Sequence, residues 1–172
     1  MTTTRPGDTD RLVVEYVLAL RWTDDAALGE LTEYLTWLSQ RLDVTVVDGS
    51  PPPVFERHRA VWRDVVRHLP PDPALRFVNG KVNGVLTGVG AARHEHVIIA
   101  DDDVRYDDRG LRAVDDLLLR ADLVRPQNYF DPLPWHARWD TARTLVNRAF
   151  GVDYPGTLGL RRSTLIAAGG YD

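Results

Sequence analysis

The sequence predicts an α/β domain with a mostly parallel sheet and helices on both of its faces. Short apolar runs rich in β-branched residues alternate with longer segments of helical apolar spacing, which favours parallel strands joined by right-handed crossovers. Polar residues follow the first, second and fourth predicted strands, and the carboxyl ends of parallel strands form one rim at which ligands bind. We therefore expect Arg21, Asp48 and Asp101 to Asp103 to share that rim.

Length and composition indicate one globular domain. The chain has 172 residues, of which 44% are hydrophobic and 27% are charged, and this is enough apolar material for a substantial core. We predict a disordered tail at residues 1–11 and a single domain at residues 12–172, because no repeats or low-complexity linkers interrupt the pattern. A net charge of −4 does not provide the basic surface that nucleic acid requires, so no nucleic-acid partner is expected.

The cysteine content and the first residues bear on location. The chain has no cysteine, which excludes disulfides, thiol nucleophiles and thiolate zinc sites and fits a reducing compartment. The first residues are polar, and the apolar run at residues 12–20 is shorter than the ~20 residues that span a bilayer. We expect a cytoplasmic protein, with association at the inner face of the membrane only through a longer parent chain.

The first half of the chain predicts two strands, each followed by a helix. Residues 12–20 form the first strand, and Thr23 followed by two aspartates predicts a helix start. Leucines at spacings of three and four then form one apolar stripe of an amphipathic helix: Leu28, Leu31, Leu35, Leu38 and Leu42. Residues 44–50 form the second strand, which ends in an Asp-Gly-Ser turn, and helical spacing resumes over residues 54–69 after three prolines.

The second half of the chain continues the alternation. Residues 74–79 and 96–100 are the third and fourth predicted strands, separated by a helix at residues 80–92. Gly84 and Gly88 each cost about 1 kcal/mol relative to alanine in a helix interior, and their spacing indicates a close approach to a neighbouring backbone or a bound group. Further helices are predicted at residues 109–121 and 135–150, further strands at residues 122–127 and 156–162, and a short capped helix follows.

Three aspartates end the fourth predicted strand, in the stretch HVIIADDDVRY. Asp101 and Asp103 flank Asp102, so their side chains point to the same side of an extended segment. Two carboxylates placed in this way, completed by oxygens of a bound pyrophosphate, form the hard oxygen shell that Mg²⁺ or Mn²⁺ prefers. A solvated acidic turn is the alternative, because short acidic strings are frequent. The buried strand before the aspartates and the shared rim favour the metal site.

Other polar and aromatic residues each allow two interpretations. Asp48 accepts hydrogen bonds either from a nucleobase or ribose, or within an Asx turn that leads into the prolines. Lys81 follows an Asn-Gly pair at a predicted helix start, where it either contacts a diphosphate or remains an exposed lysine. Trp135 and His136, together with Trp139, either line a sugar or acceptor pocket or pack in the core.

The order of these motifs resembles the family 2 glycosyltransferases, which have the Rossmann-like GT-A nucleotide-sugar fold. Four blocks carry the likeness and span residues 12–172 in the expected order: LALRWTDDAALGELTEYL, VTVVDGS, NGKVNGVLTGVGAARHEHVIIADDDV and GTLGLRRSTLIAAGGYD. They resemble, in turn, the first strand with its Leu-rich helix, the VVDDGS block, the Gly-Lys stretch leading into the DxD strand, and the later strand before Gly-Gly-Phe-Asp.

The resemblance implies a metal-dependent, inverting transfer of a sugar from a nucleoside-diphosphate sugar donor. By position, Asp48 would contact the nucleoside, and Asp101 and Asp103 would hold Mn²⁺ or Mg²⁺ on the diphosphate. The remaining donor-site residues would be Arg21, Lys81 and Asp102. An acidic side chain would deprotonate the acceptor hydroxyl, and the acceptor itself, whether a glycan, a lipid or a small molecule, is not identified by the sequence.

The chain departs from the family pattern at three points. It has one aspartate in VTVVDGS where the family often has two, Trp22 stands where asparagine is usual, and it ends at Asp172, before the acidic pair that supplies the base. The last departure predicts the donor-binding part of a catalytic domain whose base is unknown. A non-catalytic nucleotide-sugar-binding module is the first alternative. A sugar-phosphate nucleotidyltransferase, which would need a glycine-rich basic loop after the first strand, is the second.

Overall fold

The computed structural model describes residues 11–127 and 156–170, and within them the chain forms six strands and five helices. The strands are β1 (Val14–Leu20), β2 (Asp43–Asp48), β3 (Arg67–Leu69), β4 (His96–Ala100), β5 (Leu123–Val124) and β6 (Thr157–Arg161). The helices are α1 (Leu28–Ser39), α2 (Pro52–Trp62), α3 (Gly80–Ala91), α4 (Asp108–Leu118) and α5 (Arg162–Ala167). None of these described helices is long and apolar enough to cross a membrane.

Several predictions concern residues that lie outside the described ranges. These are the tail at residues 1–11 apart from Arg11, the helix at residues 135–150, and the acceptor candidates Trp135 and His136.

The six described strands form one sheet in the order β3-β2-β1-β4-β6-β5. β1 runs parallel to β2 and β4, and β3 runs parallel to β2. β6 is antiparallel to both β4 and β5. The predicted mostly parallel sheet is confirmed. Its register pairs Leu20 with Asp48 and Leu18 with Ala100, so β1, β2 and β4 end along one edge of the sheet.

β1 is the centre of the core, and all seven of its residues are buried. Successive side chains point to opposite faces of a strand. Tyr16 and Leu18 pack with residues of α1, α2 and α4 on one face. Val17 and Ala19 pack with residues of α3 on the other face. The leucine stripe predicted for the first helix lies in the first of these layers, where four of its members are fully buried: Leu31, Leu35, Leu38 and Leu42.

Two glycines allow α3 to lie close against β1. A Cβ atom at Gly84 would be 2.9 Å from Cβ of Ala19, and one at Gly88 would be 2.3 Å from Cγ1 of Val17. Neither contact could form without a shift of the helix or the strand, because core packing leaves no room for an added methyl group. The close approach predicted from the glycine spacing is confirmed, and it places the amino end of α3 beside Arg21 at the end of β1.

The first helix begins later than its predicted start signal. α1 begins well after Thr23, and no side chain caps it. The side chain of Asp24 instead accepts a hydrogen bond from the amide of Ala26 at 3.0 Å, and Asp25 pairs with Arg57. The two acids therefore stabilise a turn and a contact with α2, and the predicted helix start is wrong.

The segment between α2 and α3 also differs from the prediction. Apolar spacing predicts one helix over residues 54–69 and a strand over residues 74–79, but β3 forms at the end of the first range and turns form in the second. β3 is polar because its side chains reach carboxylates on other strands, as Arg67 does to Glu15 at 3.1 Å. A strand stabilised by charged partners far away in sequence has no local apolar pattern from which it could be predicted.

Candidate functional site

A cleft of about 510 Å³ lies at the carboxyl ends of β1 and β2, beside the amino end of α3. Its lining includes Arg21 after β1, Gly49 after β2, Asp102 after β4 and the first turn of α3. Three residues predicted at the donor site therefore meet in one cleft: Arg21, Lys81 and Asp102. Their meeting follows from the parallel topology, because parallel strands deliver the residues after their carboxyl ends to the same edge.

The amino end of α3 contributes one free backbone N–H to this cleft. The side chain of Asn79 caps the helix by accepting a hydrogen bond from the amide of Lys81 at 3.0 Å, and the carbonyl of Asn79 accepts from the next two amides. The N–H of Gly80 has no partner within the described ranges, and an unpaired amide at a helix start favours anions. A Cβ atom at Gly80 would meet no atom within 4 Å, so the backbone there is open to a ligand.

Lys81, which lines the cleft, forms an ion pair with Asp101, the residue directly after β4. The ammonium and the carboxylate are 2.5 Å apart, and the two side chains are 50% and 31% exposed. Exposed pairs of this kind contribute at most about 1 kcal/mol to stability, so little free energy is lost when either partner binds something else. The pair therefore joins α3 to the end of β4 while leaving both charges available to a ligand.

Asp102 accepts a hydrogen bond from the indole Nε1–H of Trp22, with donor and acceptor 2.5 Å apart. The backbone N–H of Trp22 donates in turn to Oγ of Ser50 at 2.9 Å. Sequence reasoning misses this contact because 80 residues separate its partners. The only signal in the sequence is that a tryptophan stands where the resembling family usually has asparagine.

Asp103 is exposed and, within the described ranges, has no hydrogen-bond or ion-pair partner. The three aspartates at the end of β4, which we call the acidic motif, thus face three different surroundings: a lysine, an indole and solvent. The N–H of Val104 donates to the carbonyl oxygen of Asp101 at 3.1 Å and closes a turn, so the extended geometry predicted for Asp101 and Asp103 is wrong. Partners from other elements contact two of the three adjacent carboxylates, and the third remains unpaired within the described ranges. Carboxylate oxygens are the donors that Mg²⁺ and Mn²⁺ prefer, so the side chains of the acidic motif fit a divalent cation.

Asp48 is fully buried at the end of β2. Its Oδ2 accepts hydrogen bonds from Nδ1 of His58 at 2.7 Å and from Nε2 of His68 at 3.1 Å, and its Oδ1 accepts one from the amide of Ser50 at 2.9 Å. Burial raises the pKa of Asp48, but these hydrogen bonds outweigh it and lower the pKa to about 2. The bond to Ser50 forms the Asx turn that was the alternative interpretation, and the histidines occupy the other oxygen.

Sequence reasoning also misses His58, although its spacing gives a signal. It lies four residues after Val54 and four before Trp62, which places it on the buried face of α2. Its side chain is fully buried, and its Nε2 lies 3.4 Å from Oδ1 of Asp25. A polar ring at an apolar position of an amphipathic helix indicates a buried partner, which here is Asp48.

A second acidic cluster lies at the opposite, amino-terminal ends of the strands, beside a cavity of about 260 Å³. Glu15, Asp43 and His94 offer three ligand atoms within 4.8 Å of one another, the only group of this kind among the residues that the structure describes. Glu15 is paired with Arg67 and Asp43 with Arg11. Because the arginines already neutralise both carboxylates, we interpret this cluster as a structural ion-pair network.

Solved structures share the fold of this chain, whereas no family model and no curated protein matches its sequence. The mannosyltransferase PcManGT from Pyrobaculum calidifontis, solved with GDP-Man and Mn²⁺, matches with 17% identity and a TM-score of 0.59 over 98% of this chain and 51% of that chain. Glucosyl-3-phosphoglycerate synthase from Mycobacterium tuberculosis, solved with Mn²⁺ and UDP, matches with 17% identity and a TM-score of 0.60, covering 95% and 64%. A mycobacterial protein matches with 21% identity and a TM-score of 0.63, covering 94% and 60%.

These likenesses define the fold class. The mostly parallel, Rossmann-like sheet with helices on both faces is the GT-A arrangement of the solved glycosyltransferases, so the predicted fold class is confirmed. At 17–21% identity the likeness is one of fold. The chain spans between 51% and 64% of the lengths of the three chains that it matches.

Proposed function

We propose that this chain is the donor-binding part of a glycosyltransferase that uses a nucleoside-diphosphate sugar. The observation that carries the proposal is the cleft in which Lys81 and the first turn of α3 meet Asp102, with Asp101 paired to Lys81. An ammonium and the amino end of a helix favour a diphosphate, and carboxylates favour the divalent cation that accompanies it. Solved proteins of the same fold that bind GDP-Man or UDP together with Mn²⁺ support this function.

Each cleft residue has its own proposed role toward the donor. Lys81 and the free N–H of Gly80 at the start of α3 bind diphosphate oxygens, and Arg21 adds a second positive charge at the same cleft. Asp102 accepts hydrogen bonds from the donor. Asp48, predicted from the resemblance to contact the nucleoside, has both oxygens engaged inside the chain, so its proposed role is to hold the turn that contains Ser50 beside the cleft.

We propose Asp101 and Asp103 as the ligands of a divalent cation, Mn²⁺ or Mg²⁺. Asp103 is unpaired within the described ranges, and Asp101 is paired with the half-exposed ammonium of Lys81. When bound, such an ion supplies positive charge that stabilises the departing nucleoside diphosphate. Lys81 supplies further positive charge at the same place, since its ammonium already lies beside the acidic motif.

The proposed reaction is an inverting transfer. The acceptor hydroxyl oxygen forms a bond to the anomeric carbon of the sugar, and the bond from that carbon to the diphosphate oxygen breaks. The hydroxyl proton goes to a carboxylate acting as general base, a role to which we assign no residue. Trp135 and His136, outside the described residues, remain our candidates for contacts with the acceptor, which is a glycan, a lipid or a small molecule.

Calorimetric titration of UDP and GDP tests the proposal. We expect one of the two nucleotides to bind in the presence of Mn²⁺. Its affinity should fall by about 100-fold when EDTA replaces Mn²⁺, or when Asp101 and Asp103 are both changed to alanine. The matched control, Asp64→Ala/Asp116→Ala, removes the same charge from two exposed positions outside the cleft. Its affinity should stay within about twofold of the native value, because distant surface charges are screened.

Two outcomes would speak against this function. Folded protein that binds neither nucleotide, or that binds one equally well in EDTA, contradicts the proposal. Nucleotide-sugar binding without release or transfer of the sugar supports instead the non-catalytic binding module.

A further inference from the structure

Trp22 is held in one orientation by neighbours on three sides. Its ring lies edge-on to His58, with centroids 5.4 Å apart and an interplanar angle of 88°, and it contacts Trp62 at 6.4 Å and 67°. His58 is itself fixed by its 2.7 Å hydrogen bond to the buried carboxylate of Asp48. Together with the backbone bond to Ser50, these contacts set the direction in which the indole N–H points.

The group that receives this N–H is the middle member of the acidic motif. Oδ2 of Asp102 lies 2.5 Å from Nε1 of Trp22, at the lining of the cleft. An indole N–H donates and cannot accept, so the contact fixes one of the two carboxylate oxygens of Asp102. The neighbouring Asp101 is paired with Lys81, and Asp103 has no partner in the part of the chain that the structure describes.

We propose that Trp22 is a positioning residue for cation binding by the acidic motif. Its indole N–H fixes Asp102 against the loop after β1, so that Asp101 and Asp103 are presented together to a divalent cation. The inference rests on the proposed function, which makes those two carboxylates the metal ligands. Removing a side chain that orients a metal ligand without touching the metal typically weakens metal binding by about 10–100-fold.

Titration with Mn²⁺ alone, followed by the electron paramagnetic resonance of the free ion, tests the proposal without a nucleotide. Trp22→Phe keeps an aromatic ring and removes the N–H, so Mn²⁺ should bind about tenfold more weakly. Trp37→Phe is the matched control, because Trp37 stacks on Tyr34 and lies against the guanidinium of Arg41. This control should keep the Mn²⁺ affinity within about twofold of native, since neither of these contacts involves Trp22 or the acidic motif.

Asp102→Ala completes a double-mutant cycle. If Trp22 acts through Asp102, Trp22→Phe has no further effect on Mn²⁺ binding once Asp102 is alanine, and the double variant matches Asp102→Ala within about twofold. Equal weakening by Trp22→Phe in both backgrounds overturns the proposal, because a purely structural role of the ring would act without Asp102.

The indole ¹H–¹⁵N resonances give a readout that needs neither metal nor a folded Trp22 variant. Among the five tryptophans, only the Trp22 indole proton should move upfield in Asp102→Ala, through loss of a short bond to a carboxylate. An unmoved resonance overturns the proposal. Native protein that binds no Mn²⁺ overturns both this inference and the metal part of the proposed function. Mn²⁺ binding that Trp22→Phe leaves unchanged overturns this inference alone.

Discussion

The two ends of the sheet both gather acidic and basic side chains around a cavity, yet they differ in how completely those charges are paired. At the amino-terminal end, Glu15 is almost fully buried and accepts hydrogen bonds from Thr45, Arg67 and the amide of Arg93. At the carboxyl-terminal end, Asp103 has no partner within the described ranges. The larger cavity, about 510 against about 260 Å³, lies at the end with the unpaired carboxylate.

This difference separates charge that stabilises the fold from charge that is available to a ligand. A buried carboxylate whose hydrogen bonds are all made inside the chain cannot bind a cation without breaking them, at a large cost in free energy. A partly exposed pair such as Lys81 with Asp101 can exchange partners at little cost. Proximity of ligand atoms alone would select the amino-terminal end, because Glu15, Asp43 and His94 are the only group of three such residues within 4.8 Å of one another in the described ranges.

The largest expected effect is the loss of stability in Glu15→Gln. The change leaves Arg67 without its counter-charge, and we expect the free energy of unfolding in urea to fall by about 3 kcal/mol. Nucleotide affinity of the folded variant should be unchanged. Glu56→Gln is the control, because it breaks an exposed pair with Arg59 and should cost less than about 0.5 kcal/mol. Weaker nucleotide binding by folded Glu15→Gln would contradict the assignment of the amino-terminal charges to stability alone.

The fold could be predicted where its signals are local. The apolar runs of β1, β2 and β4, the leucine stripe of α1 and the glycine spacing of α3 each depend on residues within one element, and all of them are confirmed. β3 could not be predicted, because Arg67 and His68 are stabilised in the sheet by carboxylates on other strands. The antiparallel direction of β6 is likewise set by its neighbours β4 and β5 and not by its own residues.

Asp48 lies at the carboxyl-terminal end of the sheet but is as fully paired as Glu15. Its pKa of about 2 lies below the ordinary value of 3.8, so its contribution to stability is complete above about pH 4 and is lost as the pH falls toward 2. The expected loss is about 2 kcal/mol. Urea unfolding at several pH values should show this loss in the native chain and not in Asp48→Asn. Equal pH dependence in the two proteins would contradict the assignment.

The location of the candidate site at one edge of the sheet could be predicted, but the contacts within it could not. Parallel topology brings Arg21, Lys81 and Asp102 to one cleft, and this much follows from the order of strands. The bonds that tie the site together join residues far apart in sequence, such as Trp22 with Asp102 across 80 positions. Such contacts depend on the complete packing of several elements, and no spacing within one segment encodes them.

Of the three variants, Lys81→Met should change the free energy of unfolding least. Unlike Glu15→Gln, it should weaken nucleotide binding. Since the Lys81–Asp101 pair is partly exposed, the free energy of unfolding should change by less than about 1 kcal/mol. Affinity for UDP or GDP with Mn²⁺ should fall about tenfold, because a charge-assisted bond to the diphosphate is lost. Lys81→Arg keeps the charge and should recover most of that affinity. If Lys81→Met left nucleotide affinity unchanged and lowered stability, Lys81 would stabilise the fold as Glu15 does. Diphosphate binding by the cleft would then be contradicted.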